Sequence, residues 1–102
     1  MRRVMVRYRV SPDQAALNEK LVREVYEELG RLRPAGFRYR TFRLDDGVTF
    51  VHLASHDGDG NPLAGVEAFG RFQESLRDRC DDPPVLSQLV EVGSYGFPAD
   101  AA

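Results

Sequence analysis

The feature that most constrains this chain is a hairpin pattern set between two helical ones. Residues 37–44 ("FRYRTFRL") and 48–55 ("VTFVHLAS") are rich in aromatic and β-branched side chains, with "DDG" between them. Such runs around a short turn read as two antiparallel strands, Gly47 taking the left-handed position. Before them, Leu17, Leu21, Val25, Leu29 and Leu32 recur at helical spacing, and Val22 and Tyr26 widen the stripe. Glu19–Arg23 and Lys20–Glu24 pairs mark that helix's solvent side. After the hairpin, Leu63, Val66, Phe69, Phe72, Leu76 and Cys80 make a second apolar stripe. A hairpin alone is at best marginal in water, so these elements must pack on one another.

The flanks complete the order. Residues 3–10 alternate, Val4, Val6, Tyr8 and Val10 pointing one way and Arg3, Met5, Arg7 and Arg9 the other, which is a strand's period of two. In "SPDQ", Ser11 is placed to cap a helix, with Pro12 at its first position and Gln14 closing a capping box. Pro34 and Gly36 stop that helix, Asn61-Pro62 opens the second, and "DDPP" at 81–84 breaks it. Residues 86–95 read as the last strand, followed by a frayed tail over 97–102. The order β-α-β-β-α-β predicts one α+β domain over 1–102. It is a ferredoxin-like four-stranded antiparallel sheet with two helices on one face.

That architecture leaves one sheet face uncovered. If Leu44 pairs with Val48, then Phe42 faces Phe50, Arg40 faces His52 and Arg38 faces Ala54. The core side then holds Phe37, Tyr39, Thr41, Val51 and Leu53 with Val4, Val6, Val90 and Val92. The free side carries Met5, Arg7, Arg9, Arg38, Arg40, Phe42, Phe50, His52, Leu89, Glu91 and Tyr95. Aromatic residues among arginines are poorly suited to bare solvent, and a homodimer through this face is expected.

Charge and composition exclude several classes. Fourteen basic and sixteen acidic residues leave a net charge of −2, which draws the chain to neither nucleic acid nor an anionic membrane. No apolar run approaches the ~20 residues of a membrane span. A lone cysteine, Cys80, forms no internal disulfide and fits a reducing cytoplasm. In "HDGDGNPLAG", Asp57, Asp59 and Asn61 sit at calcium-loop spacing, but Pro62 and Ala68 stand where that loop needs Gly and Glu. No metal is expected there; the stretch reads as a turn feeding a helix.

With these elements in place the chain resembles the dimeric α+β barrel superfamily, and within it the antibiotic-biosynthesis-monooxygenase-like (ABM-like) family. The resemblance covers residues 3–96. It rests on "RYRVSPDQ" leading into a long helix, "RPAGFRYRTFRLDDG" closing that helix before a hairpin, and "TFVHLASHD" leaving the third strand. It implies protomers paired sheet to sheet, each with a small pocket between sheet and helices. Activities in the family range from cofactor-free oxygenation of aromatic polyketides to haem degradation, isomerisation and simple ligand binding. Members often carry an acidic residue and a Trp at the end of strand three, where this chain has Ala54 and His56 and no Trp at all. Haem degraders carry an Asn on strand one and a His on helix two, and both are missing here.

The expected site follows from that pocket. His52 is the candidate general base and Tyr8 its catalytic companion, imidazole being the side chain that titrates near neutral pH. Tyr39, Arg40, Phe50, His56, Phe69 and Phe72 are the candidate ligand-binding residues. His52 and His56 lie four apart on an extended strand, ~13 Å from each other, too far to share an ion without a bend. The arginines at 7, 9, 38 and 40 suit an anionic ligand or, more readily, inter-subunit ion pairs. The function expected is a cofactor-independent, monooxygenase-like reaction on a small aromatic or acidic compound. The alternative is a non-catalytic homodimeric ligand-binding or accessory module.

Overall fold

A computed structural model describes residues 1–98. Its elements run β1 (Arg2–Val10), a 3-10 turn (Pro12–Gln14), α1 (Ala15–Leu32), β2 (Phe37–Arg43), β3 (Thr49–His56), α2 (Glu67–Glu74), α3 (Leu76–Arg79) and β4 (Cys80–Gln88). The four strands form one antiparallel sheet in the order β2-β3-β1-β4. The ferredoxin-like reading of the sequence is the fold observed.

The helices pack on one face of this sheet, and the pairing registers decide which side chains they meet. In the register, Tyr39 opposes Ala54, Thr41 opposes His52, and Arg43 opposes Phe50. Tyr8 opposes Phe50 and Val6 opposes His52 across the β1–β3 ladder. The inner face therefore carries Val4, Val6, Tyr8, Phe37, Tyr39, Thr41, Phe50, His52 and Ala54. Phe50 and His52, expected on the free side, are buried instead. Val51 and Leu53, expected in the core, share the outer face with Met5, Arg7, Arg9, Arg38, Arg40 and Phe42.

One residue of loop length accounts for this exchange. Leu44 pairs with Thr49, not with Val48: the Leu44 amide donates to the Thr49 carbonyl at 2.9 Å. The connection thus spans 45–48 rather than 45–47. Gly47 (φ 78°) closes the turn by donating to Leu44 at 3.0 Å. The Asp46 carboxylate accepts from the amides of Val48 and Thr49 at 2.9 and 2.8 Å and from the Thr49 hydroxyl at 2.5 Å, which locks the longer loop. A slip of one residue moves every side chain of a strand to the other face.

Three other expectations are corrected. The last strand is 80–88, not 86–95, and it runs through Pro83 and Pro84. Proline is tolerated because β4 lies at the sheet edge, where a missing N–H need not break a ladder. The pairing of β4 with β1 slips between Arg7 and Arg9 and again between Arg9 and Val10, opposite this stretch. Cys80 accordingly begins the strand rather than ending a helix, and Val90 and Val92 lie beyond the sheet, exposed. Ser11 makes no capping bond; its hydroxyl donates to Asp81 at 2.9 Å. The second helix starts at Glu67, because Asn61 caps only a turn, accepting from the Leu63 amide at 3.0 Å. Its N-terminus is capped instead from α1: the Glu28 carboxylate accepts from the Glu67 and Ala68 amides at 3.1 and 2.8 Å. Of the tail expected to fray over 97–102, residues 99–102 lie outside the described residues.

The core is the layer between sheet and helices: Tyr8, Val10, Val22, Val25, Phe50, Leu63, Val66, Ala68, Phe72 and Leu76. On α1 the buried positions are Asn18, Val22 and Val25, so the stripe is rotated one residue from the one that begins at Leu17. No helix among the described residues is long and apolar enough to cross a membrane.

Candidate active site

Between the inner sheet face and α2 lies a cavity of about 790 Å³. Strand alternation brings Val4, Val6 and Tyr8 of β1, Phe37 and Tyr39 of β2, and His52, Ala54 and His56 of β3 to its wall. Phe69, Phe72 and Leu76 close it from the helices, and Leu86 from β4. The rings are ordered against one another. Tyr8 stacks on Phe50 and His52 with centroids 5.7 and 5.3 Å apart, and Tyr39 stacks on Tyr26, Phe37 and His52 at 5.3 to 5.8 Å. Phe72 tilts over Tyr8 and His52 at 6.2 and 5.5 Å. Aromatic pairs at such spacings contribute about 0.5–1.5 kcal/mol beyond the area they bury.

A line of polar groups crosses this apolar layer. The Tyr8 hydroxyl lies 2.8 Å from His52 Nε2 and 2.8 Å from Asn18 Nδ2. On the other side of the imidazole, Nδ1 meets the Tyr39 hydroxyl at 2.7 Å and the Thr41 hydroxyl at 2.9 Å. Thr41 continues to the Tyr26 hydroxyl at 2.7 Å. At the opposite end, Arg79 Nε donates to Asn18 Oδ1 at 3.2 Å. Its Nη1 and Nη2 donate to the Ser75 hydroxyl and the Phe72 carbonyl at 2.9 and 2.8 Å, and its guanidinium stands 5.5 Å from the Phe72 ring centre. Arg79 is 2% exposed and Asn18 fully buried, yet the line leaves neither without partners.

Burial sets the protonation of these groups. Desolvation pushes the His52 pKa down to about 4, so the imidazole is neutral at physiological pH. Desolvation likewise raises Tyr8 and Tyr39 well above the usual phenol range, opposed at Tyr8 by the Asn18 hydrogen bond and the Arg79 charge. Both imidazole nitrogens are engaged, so a ligand in the cavity reaches His52 only through a neighbouring hydroxyl.

The structure thus brings Tyr8, Tyr39, His52, His56, Phe69 and Phe72 around one cavity. Arg40 is not among them: it is exposed on the outer face, the side of β2 that turns away from the helices. Phe50, 2% exposed, lies behind Tyr8 in the core and does not line the cavity. His56 is at the rim, its Nδ1 3.4 Å from the Gly36 carbonyl and its Nε2 3.3 Å from that of Asp59. Among the described residues no three His, Cys, Asp or Glu side chains converge as metal ligands. Asn18 and Arg79 escaped the reading of the sequence. The signal for Asn18 was an amide at helical spacing from Val22, Val25 and Leu29; Arg79 offered none, since an arginine beside acidic residues reads as surface.

Solved structures share the fold that holds these residues. A crystal structure of an antibiotic biosynthesis monooxygenase superposes with a TM-score of 0.71 at 18% identity, covering 91% of this chain and all of that one. The fold is that of the ABM-like proteins. A protein from Nitrosomonas europaea, provisionally given the same name, matches its ABM-like fold with a TM-score of 0.72 at 16% identity, over 91% of this chain and 100% of that one. Rv0793 from Mycobacterium tuberculosis matches at 0.62 and 17% identity, over 91% and 96% of the two chains. Neither a family model nor a curated protein sequence matches the chain.

Proposed function

We propose that the chain is a small-molecule enzyme of the ABM-like type, acting on a small aromatic or acidic compound in the manner of a cofactor-independent monooxygenase. The observation that carries this reading is the aromatic-walled cavity of about 790 Å³ with Tyr8, Tyr39 and His52 in its wall. Ligand sites are typically apolar hollows of about 300–1,000 Å³ with a few fixed polar groups. Solved structures of the same fold bear the monooxygenase name. His52 and Tyr8 act as the proton-handling pair. The Tyr39 and Tyr8 hydroxyls and the His52 imidazole between them hold the polar group of the ligand through hydrogen bonds, and no net proton rests on His52, since burial keeps it neutral.

The protomers pair through the outer face, in this reading. Phe42 (48% exposed) and Val85 (60%) stand there among arginines, and beyond β4 Val90, Val92 and Tyr95 are almost wholly in solvent. Light scattering is expected to give twice the 11.5 kDa chain mass.

The test uses 1-naphthol and 1-naphthoate as probes. Each is expected to shift the amide resonances of Tyr39, Phe69 and Phe72 saturably, and Ala54→Phe, which fills the cavity, to abolish the effect. Oxygen uptake with 1-naphthol that is lost in His52→Gln and Tyr8→Phe supports the enzyme. Binding with no turnover of either probe favours the non-catalytic ligand-binding module, and no binding of either to the wild type removes the cavity as a site.

A further inference from the structure

The hydrogen-bond line through the core has a direction, and the direction follows from its Arg79 end. Arginine carries donors only, so Arg79 Nε fixes the Asn18 carbonyl oxygen toward itself, at 3.2 Å. Asn18 Nδ2 must then face Tyr8 and donate to its hydroxyl oxygen, at 2.8 Å. The Tyr8 hydroxyl, on a residue 1% exposed, still has a hydrogen of its own to place. The acceptor within reach is His52 Nε2 at 2.8 Å. Buried donors are almost always satisfied, so Nε2 is bare and His52 carries its hydrogen on Nδ1.

The consequence falls on the far side of the ring. Nδ1 donates to the hydroxyl oxygens of Tyr39 and Thr41, at 2.7 and 2.9 Å. The imidazole therefore consumes neither hydroxyl hydrogen. Thr41 also hydrogen-bonds to the Tyr39 hydroxyl and lies 2.7 Å from that of Tyr26; with Tyr26 donating to Thr41, the Thr41 hydrogen goes to the Tyr39 oxygen and the Tyr39 hydrogen is left over. Of these three hydroxyl residues, Tyr39 alone belongs to the cavity wall.

We propose that Arg79 and Asn18 are positioning residues that orient this chain so that Tyr39 offers its hydroxyl hydrogen to the cavity, and that the ligand is an aromatic compound bearing a carbonyl acceptor. The ligand class rests on the reading of the cavity as a small-molecule site; the direction of the chain does not. Arg79 makes its bonds to neutral groups: Asn18, Ser75 and Phe72. A carboxylate at position 18 would supply a counter-charge, so a reversing substitution is tolerable there. In Asn18→Asp the carboxylate accepts from both Arg79 and the Tyr8 hydroxyl. Tyr8 oxygen then accepts from Nε2–H, and the bare Nδ1 takes the hydrogen of Tyr39.

Nitrogen-15 NMR of the His52 ring at pH 7 decides the direction with no ligand present. The wild type is expected to show Nδ1–H and Asn18→Asp to show Nε2–H. Fluorenone, and fluorene, which lacks its carbonyl, then probe the cavity. Tyr39→Phe and Asn18→Asp are each expected to lower fluorenone affinity relative to fluorene by about five-fold, the range for one net hydrogen bond, while fluorene binding holds. Nε2–H in the wild type, or Nδ1–H retained in Asn18→Asp, overturns the direction. An unchanged fluorenone-to-fluorene ratio in Tyr39→Phe overturns the donor role. The wild-type spectrum and Tyr39→Phe test both points even where Asn18→Asp fails to fold. Binding of neither probe to the wild type overturns the ligand class and with it the cavity reading, while the nitrogen spectra still settle the direction.

Discussion

The two faces of this sheet are built from the same strands and behave as different materials. Along β3, Phe50 and His52 are buried under the helices, while Val51 and Leu53, which alternate with them, are only partly buried on the other side. The inner face closes its polar atoms on one another, from Arg79 through Tyr8 and His52 to Tyr26. The outer face spends its polarity on arginines that reach outward. Residue type alone does not separate the two, since both contain phenylalanine. What separates them is parity along the strand, and parity is set by the length of one loop.

The largest effect should come from attacking that parity. Deleting Asp45 shortens the 45–48 connection by one residue and removes room for the Asp46 bonds to Val48 and Thr49. The pairing must then slip, sending Phe50 and His52 outward, or the loop must strain. A loss of more than about 4 kcal/mol is expected, read as loss of cooperative urea unfolding. A deletion variant that unfolds like the wild type would show that the loop does not govern the faces.

A smaller effect belongs to the buried imidazole. His52 titrates near 4 in the folded chain, against 6.5 for the free side chain. Below pH 6.5 the unfolded state binds a proton that the native state refuses, so stability falls as pH drops toward 4. The whole loss is about 3 kcal/mol. Urea unfolding at pH 7 and pH 4.5 should show a steeper decline for the wild type than for His52→Gln. Equal declines would mean that His52 is not shielded.

The smallest effect is expected across the sheet. Phe42→Ala removes an aromatic residue that is 48% exposed and should change the stability of the isolated chain by no more than about 0.5 kcal/mol. Its effect should appear instead in sedimentation, as a shift from dimer toward monomer at equal concentration. A loss of stability with unchanged association would make the outer face part of the protomer's own core.

Much of the architecture was legible because periodicity reports elements directly. The alternation in 3–10, the stripe of α1 and the hairpin all announce themselves, and their order yields the sheet. The assignment of faces was not legible, because "DDG" and "DDGV" are equally good turns by composition and differ only in which amides the Asp46 carboxylate accepts from. The last strand was misplaced because Pro83-Pro84 is a breaker everywhere except at an edge, and edge position is a property of the assembled sheet. Within the site, aromatic residues and His52 were visible as residue types. Asn18 and Arg79 become meaningful only once α1, α2 and α3 are packed and a single hydrogen-bond line joins residues 61 positions apart.

The prolines of β4 have one more consequence. A sheet with open edges can recruit strands from other chains and grow without limit. At one edge of this sheet, Pro83 and Pro84 remove two consecutive donors, and the pairing slips beside them, so an incoming strand finds no regular row to bond. At the other edge, β2 carries Arg38, Arg40 and Arg43; Arg38 pairs with Asp57 and Arg43 with Glu19, and these bulky charged side chains, with the exposed Arg40, make the edge a poor template for a second copy of the same strand. Lateral growth by strand addition is thereby opposed at both edges by unrelated means, and the broad outer face is the surface left for the pairing proposed above.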